Sequence, residues 1–145
     1  MTPVRIEREH LAAIAELERA VFRAPWSEKA LELLCDPARA FGYVTVDGEL
    51  ATSYAGMMTV AGEGQITNVA THESYRRRGL SRAVMQAMLA HARELSLFEV
   101  TLEVRESNAA AIALYEGLGF AVVGKRPRFY THPTEAALIM ACPLN

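Results

Sequence analysis

The chain has 145 residues, of which 51% are hydrophobic and 22% charged, and its net charge at pH 7 is −2. This length and balance predict one globular domain, residues 1–145, with a real buried core. The basic residues are too few, and too poor in interleaved aromatics, to favour nucleic acid as a partner. No apolar run approaches the roughly 20 residues of a membrane helix, so no membrane is expected as a partner.

The first half of the chain predicts two helices followed by a hairpin. A short strand at 4–7 precedes a helix at 8–22, in which apolar residues recur at helical spacing. Ser27 is placed to cap a second, short helix. Asp47-Gly48 then separates two β-rich runs, which is a strong signal for an antiparallel hairpin.

The second half alternates between strands and helices. The predicted elements are a strand at 65–71, a helix at 79–94, a strand at 97–104, a helix at 108–119 and strands at 120–126 and 136–143. Strand–helix–strand order predicts a parallel pair with a right-handed crossover. Together with the hairpin, it predicts a mixed α/β sheet with helices on both faces. A site is expected at the carboxyl ends of the parallel strands, beside the helix N-termini.

The segment YRRRGLS, residues 75–81, places the densest positive charge of the chain at the start of a predicted helix. The first N–H groups of a helix are unpaired and lie at the positive end of its dipole. The segment is therefore either a solvated turn or an anion site suited to phosphate. Residues 76–145 carry nine Lys/Arg against six Asp/Glu, which suits an anionic ligand.

Two side chains near the next strand and helix could take part in chemistry. Glu103 lies at the carboxyl end of the strand, as a site carboxylate, an exposed charge or a partner of Arg105. Asn108 and Tyr115 fall on one stripe of the following helix, so they face the same way. Tyr115 is either part of a site or a core tyrosine. The opposite face of the strand carries Phe98, Val100, Leu102 and Val104.

The segments YRRRGLS and LEVRESNAAAIALYEGLGF resemble the GNAT (Gcn5-related) N-acetyltransferase superfamily, and within it the RimI-type ribosomal-protein alanine N-acetyltransferases. APWSEKALE and ALIMACPL also match this group, so the resemblance spans nearly the whole chain. It implies the GNAT fold, in which a mixed central sheet of about seven strands carries helices on both faces. It also implies acetyl-CoA in the splay between two parallel strands.

The resemblance implies which residues bind acetyl-CoA. They are Val69, Ala70, Thr71, Arg76, Arg77, Arg78, Gly79, Leu80, Ser81, Arg82 and Asn108. The glycine lets the backbone approach the pyrophosphate closely. Ser81 departs from the family's loop, which usually ends in Gly or Ala at this position. A backbone N–H of Ala70 or a neighbour, at a strand bulge, is expected to stabilise the developing oxyanion.

The same resemblance assigns the chemistry to two residues. The amine must be neutral to attack the thioester, yet a free α-amino group has a pKa of about 8. Glu103 matches the family's base, acting through a water, and Tyr115 matches the acid that protonates the leaving thiolate. Transfer is direct, in a ternary complex. Cys35 and Cys142 remain structural, without metal-ligand spacing, and indicate a reduced, cytoplasmic setting.

The expected acceptor is a protein N-terminal α-amine, such as the N-terminal alanine of a small-subunit ribosomal protein. Trp26 and Tyr130 are candidate substrate contacts, although Trp26 is otherwise a packing anchor. The loop after Tyr130 is shorter than is typical of the RimI type. Another amine (a lysine side chain, a polyamine or an antibiotic) therefore remains an alternative acceptor. A non-catalytic acetyl-CoA-binding module is the other alternative.

Overall fold

The computed structural model describes residues 1–144 and shows seven strands in one mixed sheet. The strands are β1 (Val4–Arg5), β2 (Ala40–Asp47), β3 (Leu50–Val60), β4 (Glu63–Thr71), β5 (Glu99–Arg105), β6 (Ala121–Tyr130) and β7 (Glu135–Pro143). The helices are α1 (Leu11–Val21), α2 (Glu28–Leu31), α3 (Leu80–Glu94) and α4 (Ala109–Gly117). The strand order is β1-β2-β3-β4-β5-β7-β6, with β4 and β5 parallel. The predicted mixed α/β architecture is confirmed.

The sheet separates two apolar layers, because alternate residues of a strand face opposite sides. Phe41 of β2 and Met57 of β3 pack with α3, β5 and α4 in one layer. Val44 and Tyr54 of the same two strands pack with α1 and α2 in the other. Helices therefore cover both faces, as predicted, and Ser27 caps α2 by accepting a hydrogen bond from the Ala30 N–H at 3.1 Å.

The parallel strands β4 and β5 separate soon after they begin. Within residues 1–144 the pairs are Glu63 with Glu99, Gly64 with Val100 and Gln65 with Thr101. Beyond these pairs β4 continues to Thr71 and β5 to Arg105 without pairing to each other. The opening between their carboxyl ends is where the sequence predicted a site.

Several predicted boundaries differ from the structure, and three of the differences have a clear cause. Residues 8–10 form a separate 3₁₀ turn, so α1 begins at Leu11. β4 begins at Glu63, because Glu63 already pairs with Val60 across the turn. β6 runs on to Tyr130, beyond the predicted end at 126, because Tyr130 still pairs with β7.

The sequence pattern groups Phe98 with Val100, Leu102 and Val104, but the Phe98 side chain is 56% exposed. It lies just before the strand, in a segment where its N–H donates to the Gly62 carbonyl at 2.8 Å. The alternation of faces that buries Val100, Leu102 and Val104 starts only within β5. The environment of Phe98, which precedes β5, therefore differs from that of the residues it is grouped with.

Candidate active site

The opening between β4 and β5 is a groove made of three adjoining cavities of about 280, 530 and 610 Å³. The smallest lies at the N-terminus of α3, and the largest reaches Glu103 on β5. Thr71 and Ser81 line both the smallest and the middle cavity. Asn108 and Tyr115 line both the middle and the largest. The groove therefore runs continuously from the start of α3 to the carboxyl end of β5.

The smallest cavity is bounded by the backbone and arginines that precede α3. Gly79 is the N-cap residue of α3, with φ at +73°, and a β-carbon built there would meet nothing within 4 Å. The glycine is thus required by the left-handed backbone, not by crowding. Arg76, Arg77 and Arg82 line the cavity. Arg78 does not line it, and its guanidinium lies 4.8 Å from the centre of the Tyr75 ring.

Ser81 is tied to the sheet by a chain of hydroxyl groups. Its Oγ lies 2.5 Å from Oγ1 of Thr71, which lies 2.8 Å from Oγ of Ser53. Ser53 in turn donates to the Ala70 carbonyl at 3.1 Å. The hydroxyl of Ser81 therefore holds the first turn of α3 against the end of β4, and the extra oxygen has a partner.

β4 supplies one wall of the middle cavity through Val69, Ala70 and Thr71. The sequence analysis expected a β-bulge at Ala70 or a neighbour, with an N–H that stabilises the oxyanion. The bulge of β4 lies elsewhere. The register passes from Ile66 to Asn68 opposite consecutive residues of β3, which places the extra residue at Thr67. The bulge therefore occurs where β4 leaves β5, and it turns the strand away from its parallel neighbour.

Asn108 and Tyr115 face the same groove from α4. Asn108 caps α4, because its Oδ1 accepts a hydrogen bond from the Ala111 N–H at 3.2 Å. Tyr115 is only 7% exposed. Burial, and secondarily nearby Tyr130, raises the pKa of Tyr115 to about 12, so its hydroxyl remains protonated at neutral pH.

Glu103 is exposed and lines the largest cavity together with Tyr115 and Tyr130. Burial, followed by the negative charge of Glu103, raises the pKa of Tyr130. Arg105, considered from the sequence as a partner of Glu103, instead pairs with Glu135 at 3.1 Å. Glu103 makes no ion pair within the described part of the chain.

Arg105 holds the turn between β6 and β7 at the rim of the largest cavity. Its guanidinium donates to the Thr131 carbonyl at 2.9 Å and the Pro133 carbonyl at 3.0 Å. It also lies 4.5 Å from the centre of the Tyr130 ring. Hydrogen bonds from Ser107 and Arg105 lower the pKa of Glu135. The short turn after Tyr130 is therefore anchored to β5.

Trp26 does not line the groove, whereas several residues that the sequence did not single out do line it. The half-buried Trp26 side chain packs against the apolar layer under α1, which favours its reading as a packing anchor. The groove is instead lined by residues that were not singled out, namely Phe22, Arg23, Ala24, Thr67 and Asn68. The only sequence signal for these was the polar pair Thr67-Asn68 inside a strand.

Within residues 1–144, no group of three or more His, Cys, Asp and Glu side chains is arranged to hold a metal ion. In the same range, every helix is too short or too polar to cross a membrane.

Comparison with known proteins places this chain in a family. The model of the acetyltransferase (GNAT) family matches residues 11–120. The chain is 34% identical over 142 residues to the ribosomal protein bS18-alanine N-acetyltransferase of Escherichia coli K12, covering 97% of this chain and 95% of that protein. The crystal structure of the E. coli ribosomal-protein-S18-alanine N-acetyltransferase superposes with a TM-score of 0.89 at 33% identity, covering 99% and 94% of the two chains. A chain of the NatC complex bound to Gag peptide and CoA shares the fold, with a TM-score of 0.82, 22% identity and full coverage of both chains.

The fold and these matches define an acyltransferase that acts on amines. The chain belongs to the acetyltransferase (GNAT) family. Enzymes of this family use acetyl-CoA as the acetyl donor. The family, fold and enzyme class predicted from the sequence are confirmed.

Proposed function

We propose that this chain transfers acetyl from acetyl-CoA to a protein N-terminal α-amine, with the N-terminal alanine of a small-subunit ribosomal protein as the acceptor. One observation carries the proposal: Glu103 and Tyr115 line a single cavity where β4 and β5 have separated. The relative from E. coli is a ribosomal protein bS18-alanine N-acetyltransferase that aligns with nearly all of this chain. That match supports the choice of acceptor.

In this proposal the groove binds acetyl-CoA, which supplies the acetyl thioester. In this proposal the backbone of 69–71 faces the pantetheine arm and the backbone of 77–82 faces the pyrophosphate. Unpaired N–H groups at the start of α3 support the second assignment. Arg76 and Arg82 add positive charge. Arg78 acts through its backbone, and the Asn108 amide bonds the pantetheine portion.

Gly79→Ala is expected to raise the KM for acetyl-CoA several-fold. A β-carbon at φ +73° costs about 1–2 kcal/mol in the left-handed conformation, so the loop relaxes away from the geometry that presents its N–H groups. Steady-state kinetics with varied acetyl-CoA measure the effect.

Gly48→Ala is the matched control for this substitution. Gly48 lies in the β2–β3 turn with φ at +61°, and its β-carbon would also meet nothing within 4 Å. The strain is therefore similar, but the position is outside the groove. An equal rise in the KM for acetyl-CoA in both variants would contradict the assignment of the Gly79 loop to the pyrophosphate.

Glu103 is proposed to accept the proton of the attacking amine through a water molecule. The carboxylate is exposed at the end of β5, and within the described residues no cation neutralises it. In this proposal the carboxylate receives, through the water, the proton that an α-amine with a pKa of about 8 must lose in order to attack.

Tyr115 is proposed to protonate the sulfur that leaves the acetyl group. The pKa of the Tyr115 hydroxyl is raised to about 12, so at neutral pH it carries a proton that it can donate in a hydrogen bond to the departing sulfur. Tyr115 lines the middle cavity, which lies between the N-terminus of α3 and the cavity that Glu103 lines. In this proposal the amine therefore meets a base, Glu103, and the sulfur meets an acid, Tyr115, in the same groove.

No covalent intermediate on the enzyme is needed for direct transfer. Cys142 is buried, and burial raises the pKa of its thiol, which disfavours a nucleophilic thiolate. Neither Cys142 nor Cys35 lines the cavities of the groove. Both cysteines are therefore packing residues in this proposal.

A thiol-release assay tests the acceptor. We expect release of CoA thiol with acetyl-CoA and a short peptide that begins with alanine. The same peptide with a blocked N-terminus and free spermidine serve as the two controls, and neither should support release. Release with spermidine instead of the peptide would replace the proposed acceptor with a polyamine. Acetyl-CoA binding without release in any reaction would favour the non-catalytic alternative.

A further inference from the structure

A buried carboxylate lies behind the largest cavity, which is the acceptor end of the groove in the proposed function. Glu18 of α1 is fully buried, with 0% of the residue exposed. Its Oε1 accepts a hydrogen bond from the Trp26 N–H at 2.9 Å, and its Oε2 accepts one from Nδ2 of Asn68 at 3.2 Å. The Tyr54 hydroxyl also donates to Oε2. Burial and the Glu18 carboxylate raise the pKa of Tyr54, so this hydroxyl remains a donor.

These hydrogen bonds connect two opposite walls of the largest cavity. Trp26 ends the segment after α1, in which Phe22, Arg23 and Ala24 line that cavity. Asn68 lines the same cavity from β4, next to the bulge. Within residues 1–144 Glu18 forms no ion pair, so it joins the two walls through hydrogen bonds alone. One carboxylate therefore sets the relative position of the segment and the strand.

Glu18 also determines which end of the Asn68 amide is left for a ligand. Because Oε2 of Glu18 accepts a hydrogen bond from Nδ2, the NH₂ group of the Asn68 amide faces Glu18. The other end, Oδ1, is a buried acceptor without a donor among the described residues. Buried acceptors without a donor are uncommon, because the missing hydrogen bond has a cost. A bound molecule with an N–H group at this position would supply the missing donor.

We propose that Glu18 is a positioning residue that orients Asn68, so that Asn68 Oδ1 accepts a hydrogen bond from an N–H of the acceptor amine. The inference rests on the proposed function, because it concerns the acceptor of that reaction. It adds a specificity contact that is separate from Glu103 and Tyr115. A donor-rich ammonium or amine satisfies Oδ1, whereas an ester or ether group in the same place does not.

Glu18→Gln tests this orientation with nearly unchanged volume. The Trp26 N–H is a backbone donor that cannot reverse, so the glutamine carbonyl takes the Oε1 position and its NH₂ group faces Asn68. The Asn68 amide then turns over and presents a donor to the acceptor. We expect the KM for the alanine peptide to rise about tenfold or more, the ratio that 1.4 kcal/mol represents. The KM for acetyl-CoA should remain unchanged. Kinetics with each substrate varied in turn separate the two constants.

Tyr54→Phe is the matched control, because it removes another donor to the same Glu18 oxygen. Glu18 and Asn68 keep their orientation in this variant, so its melting temperature falls but its KM for the peptide does not. A peptide KM that is unchanged in Glu18→Gln would overturn the proposal. An equal rise in Tyr54→Phe would do the same, because it would indicate a purely structural role.

The exchange variant Glu18→Gln/Asn68→Asp reverses the donor and the acceptor of this pair. The introduced glutamine NH₂ then donates to one oxygen of the introduced aspartate, and the other aspartate oxygen is an acceptor where Oδ1 was. The double variant should regain most of the peptide affinity that Glu18→Gln loses, whereas Asn68→Asp alone places two carboxylates in contact and should not. If Glu18→Gln does not fold, a folded exchange variant with a wild-type peptide KM supports the proposal, and one with a raised peptide KM overturns it.

Failure of the proposed function and failure of this inference give different results. The first appears in the wild-type enzyme, as absent turnover of the alanine peptide. In that case the KM comparison is made with whichever control amine the wild type acetylates. A side-chain NMR measurement of the Asn68 amide, with and without Glu18→Gln, follows the orientation without any acceptor. Identical Asn68 amide signals in both proteins would overturn the inference even if the acceptor is correct.

Discussion

Replacing Tyr115 with phenylalanine is expected to lower kcat by about 100-fold and to leave the KM for acetyl-CoA nearly unchanged. Phenylalanine keeps the buried ring and its contact with Phe120, whose ring centre lies 5.9 Å away. Only the hydroxyl is lost, and with it the proton for the leaving thiolate. Steady-state kinetics and a direct acetyl-CoA binding measurement on the same samples check the two constants.

Tyr43→Phe is the control for this loss. Its hydroxyl lies 3.0 Å from Nδ1 of His91, on β2 and away from the groove, so kcat should remain at the wild-type value.

Because the pKa of Tyr115 is raised to about 12, wild-type activity should not decline through its ionisation up to about pH 10. Equal losses of kcat and of acetyl-CoA affinity in Tyr115→Phe would remove the acid role.

Replacing Glu103 with glutamine is expected to lower turnover by about 100-fold at pH 7 and by much less at pH 10. At pH 7 an α-amine with a pKa of about 8 is mostly protonated, so a base is needed to form the attacking species. At pH 10 the amine is already neutral. The ratio of wild-type to variant activity should therefore fall as pH rises, which a pH–rate profile of both enzymes measures.

Glu99→Gln provides the matched comparison, since Glu99 lies four residues earlier on the same strand and the same face. Glu99 does not line the largest cavity, so its loss should change turnover little at any pH. If the loss in Glu103→Gln is the same at pH 7 and pH 10, the carboxylate is not a general base. It would then act by charge or by packing.

Much of the fold could be predicted from the sequence because the information is local. Alternating and helical apolar spacing located most strands and helices, and Asp47-Gly48 located the turn between β2 and β3. The position of Gly79 at the start of α3 was predictable because only glycine adopts its left-handed backbone without cost. Motif spacing also brought Asn108 and Tyr115 to one face of α4.

The partners of individual side chains were decided by the tertiary structure. Arg105 follows Glu103 closely in sequence but pairs with Glu135 on β7, because neighbouring antiparallel strands bring residues far apart in sequence together. The bulge at Thr67 depends on how β4 pairs with β3, and no local pattern contains that register. The turn into β5 exposes Phe98, although its sequence pattern continues that of the strand.

The proposed acceptor end of the groove, the largest cavity, shows this division most clearly. By itself the sequence determined the family, the order of the elements and the two groups proposed for proton transfer, because these depend on short motifs and on periodicity within one element. It did not single out Glu18 or Asn68, which lie 50 residues apart and meet only when α1 packs on β4. Burial and hydrogen bonding between distant segments depend on packing. Only the tertiary structure could therefore place the Glu18 carboxylate against Asn68, which lines the largest cavity.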